Sequence, residues 1–177
     1  MNTSARQELR NTHSEKIPPW KTVHRNWSLY SVLQYEHALQ KQNFHIGGNA
    51  LLALNAYLVK KERFLETDSI PFTRKSVRAL TGNSKAVNTE RVYDAIKQCG
   101  GSLCAPLDAF HLRLGYADQP LGESLLIAMP TISIRDTEIV FSVSHDEGGR
   151  SIDARDSDFL LHKLWNADSE WVYLAKC

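Results

Sequence analysis

The chain has 177 residues, 42% hydrophobic and 23% charged, which is the composition of a folded globular domain rather than a disordered segment. At this length a chain buries roughly two-thirds of its unfolded surface, so no disulfide or metal is needed to hold it together. Its beginning is polar and unlike a secretory signal, and its apolar runs are too short to span a bilayer. We therefore expect a cytoplasmic protein with no membrane association.

The net charge of +1 conceals an asymmetry between the two halves of the chain. Residues 1–100 hold 15 lysines and arginines against 8 acidic residues, a net +7, whereas residues 101–177 hold 6 against 12, a net −6. Such segregation predicts a basic face for an anionic partner, unless the two halves fold so that their charges intermingle. The three cysteines show no CxxC spacing, which favours a reducing compartment.

The first predicted element is a polar, basic arm over residues 1–28, in which Pro18-Pro19 enforces extended backbone and the tryptophans pack onto the body. Residues 29–177 are predicted to form a single α+β domain. Apolar residues three and four apart predict a helix over 28–42, with Ser28 as its N-cap, and a second helix over 49–66.

The segment TRKSVRALTGNSKAVNTERVYDAIKQCGG, residues 73–101, resembles the helix-turn-helix pattern in its general form. Thr73 is expected to cap a first helix that Gly82 ends, and a second helix begins at Ser84, or later at Asn88 or Thr89. Two positions depart from the pattern. Arg78 stands where a small residue is expected, and Asn83 stands where an apolar one is usual. The alternative is an ordinary helical hairpin within the scaffold.

Side chains of this segment suit contact with nucleic acid. Arginine and lysine reach guanine edges or phosphates, and asparagine pairs with adenine. The predicted contact residues are Arg74, Lys75, Arg78, Lys85, Asn88 and Arg91.

The C-terminal part, residues 102–177, is punctuated by proline and glycine and is expected to be rich in antiparallel strands. A strand is predicted at 110–114, a β-hairpin from alternating apolar residues at 132–134 and 139–143, a short helix at 159–165, and a last strand over 170–177. With the helical part at 29–101, this predicts an α+β fold with a helical N-terminal half, including the helix-turn-helix-like hairpin, and an antiparallel, β-rich C-terminal half.

The segment SHDEGGRSIDARDSD, residues 144–158, is the candidate chemical site, because it concentrates histidine and carboxylates in a loop after a strand. His145, Asp146 and Asp153 are the predicted metal ligands. Their spacing fits neither an EF-hand nor an HExxH motif. The competing interpretation is that Asp153 or Asp156 caps the helix that follows.

These observations favour a nucleic-acid-binding regulator or accessory protein that contacts DNA through residues 73–101, with the C-terminal sheet mediating homodimerisation or partner binding. A second hypothesis is a protein-interaction or inhibitor module whose acidic half binds a basic partner. A third is a small metal-dependent hydrolase built on the 145–158 loop. No nucleophile elbow or redox motif is present in the sequence, which favours a protein that is not an enzyme and uses no cofactor.

Overall fold

The computed structural model describes residues 18–26, 28–59, 68–157 and 164–175. The strands are β1 Lys21–His24, β2 His45–Ile46, β3 Ser69–Ser76, β4 Ser124–Ile127, β5 Ile132–Ile134, β6 Thr137–Asp146, β7 Gly149–Asp156 and β8 Glu170–Leu174. The helices are α1 Val32–Gln40, α2 Gly48–Val59, α3 Val77–Thr81, α4 Thr89–Gln98 and α5 Pro106–Gly115. None of the helices in these ranges is long and apolar enough to cross a bilayer.

The strands form one curled, mixed sheet that resembles half of a barrel. Its order is β1-β3-β8-β4-β6-β7-β2, and β5 pairs with β6 beside this path. The pairs β4/β8 and β2/β7 are parallel, and the other pairs are antiparallel. Because β1, β2 and β3 come from the first half of the chain, the predicted helical N-terminal half with an antiparallel C-terminal half is wrong.

The two faces of the sheet are covered by different helices. Phe110 of α5 packs edge-to-face on Phe141 of β6, with 5.0 Å between ring centroids, and α1 and α2 pack with α5 on that face. On the opposite face, Tyr93 of α4 packs edge-to-face on Trp171 of β8 at 5.9 Å. Successive residues of a strand alternate between these faces, so the register decides which functional side chains lie together.

Strand β3 replaces the first part of the predicted helix over residues 73–80. Ile70 and Phe72 are buried at alternate positions, which is the two-residue period of a strand, and Thr73 is buried on the other face. The two basic residues that follow, Arg74 and Lys75, were interpreted as the exposed face of a helix. Arg74 forms an ion pair with Glu123, 49 residues later in the chain, and no local pattern announces such a contact.

Helix α5 replaces the strand predicted at 110–114. Pro106 occupies the start of the helix, and the Asp108 carboxylate accepts the N–H of Ala105 at 2.8 Å. Eight of its ten residues are buried, His111 among them, so the helix has no polar face to reveal its period of 3.6 residues.

Several local predictions are confirmed. Helix α1 lies within the predicted range, although Ser31 rather than Ser28 is its N-cap. Helix α4 follows Asn88, which was one of the predicted starting points. The predicted hairpin corresponds to β5 and β6, and the predicted last strand corresponds to β8. Residues 60–66 of the second predicted helix lie outside the described residues, as does Trp27 of the arm.

The arm contributes to the sheet. Lys21–His24 is strand β1, which pairs with β3 at one edge. Trp20, just before it, packs edge-to-face on Tyr116 with 5.1 Å between ring centroids, which confirms the prediction that this tryptophan packs onto the body.

The β5–β6 turn offers a test of local backbone strain. Arg135 and Asp136 both have positive φ, 49° and 65°, a conformation that asparagine and glycine adopt more readily. Replacing the pair with Asn-Gly is expected to raise the free energy of unfolding by about 1 kcal/mol. Urea denaturation of the two proteins measures the change, and an unchanged or lower midpoint in the Asn-Gly variant would contradict it.

Candidate functional site

The six predicted nucleic-acid contacts do not lie on one helical hairpin. Arg74 and Lys75 lie in β3, Arg78 in α3, Lys85 in the loop that follows, Asn88 at the N-cap of α4 and Arg91 within α4. Helix α3 has only five residues, and Gly82 ends it in the left-handed conformation, with φ of 68°, as the sequence predicts. The predicted hairpin is therefore wrong in its first part, because residues 73–76 are strand.

Three of these six side chains have partners within the protein, Arg74, Asn88 and, in an exposed ion pair described below, Arg78. Arg74 pairs with Glu123, and its guanidinium lies 4.6 Å from the centre of the Trp20 ring. The Asn88 side chain accepts the N–H of Arg91 at 3.0 Å and so caps α4. Asn88 is therefore committed to the helix end rather than to a base edge.

Arg78 lies on the wall of a cleft of about 800 Å³ on the α4 side of the sheet. The cleft is formed by α3 and its loop, by β4 and β7, and by residues 164–170. Among the residues that the structure describes, three serines line it, Ser84, Ser124 and Ser169. Arg78 forms an ion pair with Asp168 at 2.9 Å, and both side chains are more than half exposed. Such an exposed pair is weak and is readily exchanged for a ligand.

Arg155 of β7 is the second cation of the cleft. Its Nε donates to the hydroxyl of Ser142 on β6 at 3.1 Å, and Ser142 is fully buried. Within the described ranges, the two terminal nitrogens of Arg155 form no hydrogen bond or ion pair. A guanidinium that is anchored through Nε and free at its two ends presents the geometry that binds an oxyanion with two hydrogen bonds.

Trp165 forms a rigid apolar wall of the cleft. Its backbone exchanges two hydrogen bonds with Val87, of 3.1 and 2.7 Å, and its ring nitrogen donates to Thr89 at 2.8 Å. The ring packs edge-to-face on Trp171, with 5.2 Å between centroids. Leu126 of β4 adds a second apolar contact surface. The cleft therefore combines two guanidinium groups, hydroxyls and an apolar wall held in place from three directions.

Acidic groups balance part of this charge. Asp168 and Glu170 both line the cleft. Burial raises the pKa of Glu170, Arg74 opposes that shift, and Glu123 adds to it. A carboxyl group with a raised pKa repels an anion less at mildly acidic pH, so anion binding in the cleft is expected to strengthen as the pH falls.

The three predicted metal ligands are not brought together. His145 lies opposite Arg150 in the β6–β7 register and Asp153 lies opposite Ser142, which places the two on different faces of the sheet. The Asp146 side chain accepts the N–H of Gly148 at 2.8 Å and so supports the turn of the hairpin. Among the described residues, no group of three or more His, Cys, Asp or Glu side chains is arranged to hold a metal ion.

The predicted loop over 145–158 is largely strand β7, which begins at Gly149. Asp153 lies within this strand, where its carboxylate accepts a hydrogen bond from Ser151 at 3.1 Å. It is therefore not the cap of a following helix. Most of the helix predicted at 159–165 lies outside the described residues.

Sequence reasoning missed Arg155, although the sequence contains a usable signal. Polar residues recur at every second position of SVSHDEGGRSIDARD, at Ser142, Ser144, Ser151, Asp153 and Arg155. That alternation predicts a second hairpin with one polar face. The structure shows this polar face, with Ser144 and Ser151 hydroxyls 3.2 Å apart on neighbouring strands.

No protein-family model, curated protein or solved structure matches the chain. The class of this protein therefore rests on its fold and its cleft alone. It is a mixed α/β protein with a polar cleft on one face of its curled sheet.

Proposed function

We propose that the protein binds nucleic acid, and that it holds the backbone of a single strand in the cleft between Arg78 and Arg155. One observation carries this proposal. Two arginines from elements 77 residues apart in the chain converge on one cleft that also holds serine hydroxyls and an apolar wall. Guanidinium and hydroxyl groups are the usual donors to phosphate oxygens. The protein would act as a regulator or accessory factor for that nucleic acid.

The shape of the cleft favours a single strand over a duplex. Its volume of about 800 Å³ falls in the range of pockets that enclose small ligands, which corresponds to a few nucleotides rather than to the width of a double helix. Single-strand binding proteins combine a basic groove with apolar side chains that contact the bases. Trp165 and Leu126 supply the apolar contacts here, and Arg78 and Arg155 supply the charge.

The proposal predicts salt-sensitive binding that depends on Arg155. Arg155→Gln is expected to weaken binding of a fluorescently labelled single-stranded DNA about tenfold and to reduce the slope of log K against log salt by roughly 0.7. Arg78→Gln is expected to act in the same direction, and less strongly, because Arg78 already shares its charge with Asp168. Fluorescence anisotropy across a salt titration measures both effects, with the corresponding duplex as a comparison.

Arg135→Gln is the matched control, since Arg135 is exposed in the β5–β6 turn and does not line the cleft. It removes the same charge and is expected to leave binding within about twofold of the unmodified protein. Equal losses of affinity in the Arg135 and Arg155 variants would show that only the net charge matters, and would contradict the proposal. Absence of binding to either form of DNA would instead favour the protein-interaction module.

A further inference from the structure

Arg113 is a buried cation whose hydrogen-bond partners are all neutral. It lies in the last turn of α5 and is 0% exposed. Its terminal nitrogens donate to the side-chain oxygen of Gln119, to the carbonyl of Tyr116 and, at 3.3 Å, to the carbonyl of Ser144. Its Nε is buried and has no partner. A buried guanidinium with one unsatisfied N–H and no carboxylate is costly to the fold.

Arg150 places a second guanidinium at the same corner. It lies opposite His145 in the β6–β7 register, one residue from the Ser144 carbonyl that Arg113 binds. Its Nε is also buried without a partner, and within the described ranges Arg150 forms no hydrogen bond or ion pair. Burial lowers the pKa of Arg113 to about 10, and the charge of Arg150 contributes to this shift. The two like charges are thus close enough to repel each other.

The nearest acidic groups are already engaged. Glu123 pairs with Arg74 and accepts a hydrogen bond from the hydroxyl of Tyr116 at 2.8 Å. Asp118 pairs with Lys21 at 3.0 Å. The negative end of α5 and the surrounding carbonyls stabilise Arg113 in part. Glu123 also raises the pKa of Arg113. Lys21 and, less strongly, Arg150 lower the pKa of Asp118, so both carboxylates compensate part of the charge. Each of them already forms an ion pair with another cation, which leaves positive charge in excess at this corner.

We propose that Arg113 and Arg150 form a binding site for a small oxyanion of the phosphate class. The anion would enter from the solvent side, where Arg150 and His145 are partly exposed, and would accept the two unpartnered Nε–H groups. The Nδ1–H of His145 donates to the Gln119 carbonyl at 2.7 Å, which leaves Nε2 as the ring nitrogen available to the anion. Charge-assisted bonds to phosphate offset the burial of Arg113 and of the Nε of Arg150.

This site is independent of the nucleic-acid cleft. Arg150 and Arg155 are five residues apart on β7 and therefore lie on opposite faces of the sheet. Each arginine can be replaced without touching the other site. Arg135→Gln, in the exposed β5–β6 turn and outside both sites, is the control for Arg150→Gln, and both remove one charge.

The test is calorimetric titration of the full chain with inorganic phosphate at constant ionic strength. Phenyl phosphate is titrated in parallel to separate free phosphate from a phosphomonoester, and acetate tests whether any oxyanion suffices. We expect saturable binding of phosphate or of phenyl phosphate, at least tenfold weaker in Arg150→Gln and unchanged in Arg135→Gln. Circular dichroism confirms that each variant is folded before titration.

A second readout is the melting temperature. In chloride, Arg150→Gln is expected to melt at the same or a higher temperature than the unmodified protein, because it removes the repulsion with Arg113. Added phosphate is expected to raise the melting temperature of the unmodified protein more than that of Arg150→Gln. The difference between the two increases excludes the general stabilising effect of phosphate, which both proteins share. Identical phosphate responses in the two proteins, or an equal response to acetate, would overturn the proposal.

Discussion

Replacing Arg25 with methionine is expected to lower the free energy of unfolding by about 3 kcal/mol at pH 7. Arg25 and Asp108 form an ion pair of 2.9 Å between side chains that are 5% and 0% exposed. Methionine keeps much of the apolar stem and removes the charge, so Asp108 would remain buried without its cationic partner. The cost is large because a buried carboxylate that loses its counterion is stabilised neither by water nor by charge.

The loss in this variant is expected to depend on pH. Burial raises the pKa of Asp108, and Arg25 is the largest of the influences that lower it again. Without Arg25 the pKa of the folded state rises further, while that of the unfolded state stays near the ordinary carboxyl value of about 4. Between these two values the folded state binds more protons than the unfolded state. Stability of the variant therefore rises as the pH falls through this window and is lost as the pH rises.

Urea denaturation at pH 5 and pH 7 of four proteins isolates the pair: unmodified, Arg25→Met, Asp108→Asn, and the double variant. The cycle is needed because Arg25 makes other contacts as well. Asparagine retains an oxygen that can accept the N–H of Ala105, which Asp108 now accepts at 2.8 Å. The double variant is expected to recover most of the loss. A loss that is equal at both pH values and persists in the double variant would show that the charge of Asp108 is not its cause.

The elements that the sequence predicts are those whose signals are local. The β5–β6 hairpin and β8 are rich in β-branched and aromatic residues, although residues 139–144 and 171–173 are buried without a break. Helix α4 has both a local cap at Asn88 and a strongly amphipathic pattern. Helix α5 was missed for the opposite reason. It is buried nearly all round, so its polar residues His111 and Arg113 do not lie on a solvent-exposed face.

Of the residues that line the cleft, Arg78 was a predicted contact residue and Arg155 was not, because the cleft itself depends on sheet order. Arg78 follows β3 and Arg155 belongs to β7, and they face one cleft because β8, the last strand in sequence, lies between β3 and β4. The local hydrophobic periodicity of a sequence does not indicate a crossover of this kind. The charge asymmetry between the halves likewise does not survive as two separate surfaces, since Arg74 pairs with Glu123 and Arg78 pairs with Asp168.

Gly101→Ala is expected to lower the free energy of unfolding by about 2 to 3 kcal/mol. A Cβ at this position would lie 2.5 and 2.6 Å from two ring carbons of Tyr173 and 3.1 Å from the side chain of Ile96. Tyr173 and Ile96 are both fully buried, so neither can move aside cheaply. The close approach of α4 to β8 thus requires the absence of a side chain at Gly101.

Gly48→Ala is the matched control for this substitution. Gly48 begins α2, and a Cβ there would meet no atom within 4 Å, so the change is expected to be neutral or to stabilise by up to about 1 kcal/mol. Urea denaturation of both variants separates the steric cost from the general effect of replacing glycine. In a Tyr173→Leu background, Gly101→Ala is expected to lower the free energy of unfolding by less, because the ring that the new Cβ would contact is absent. Equal costs for Gly101→Ala in the two backgrounds would mean that contact with Tyr173 is not what excludes a side chain at this position.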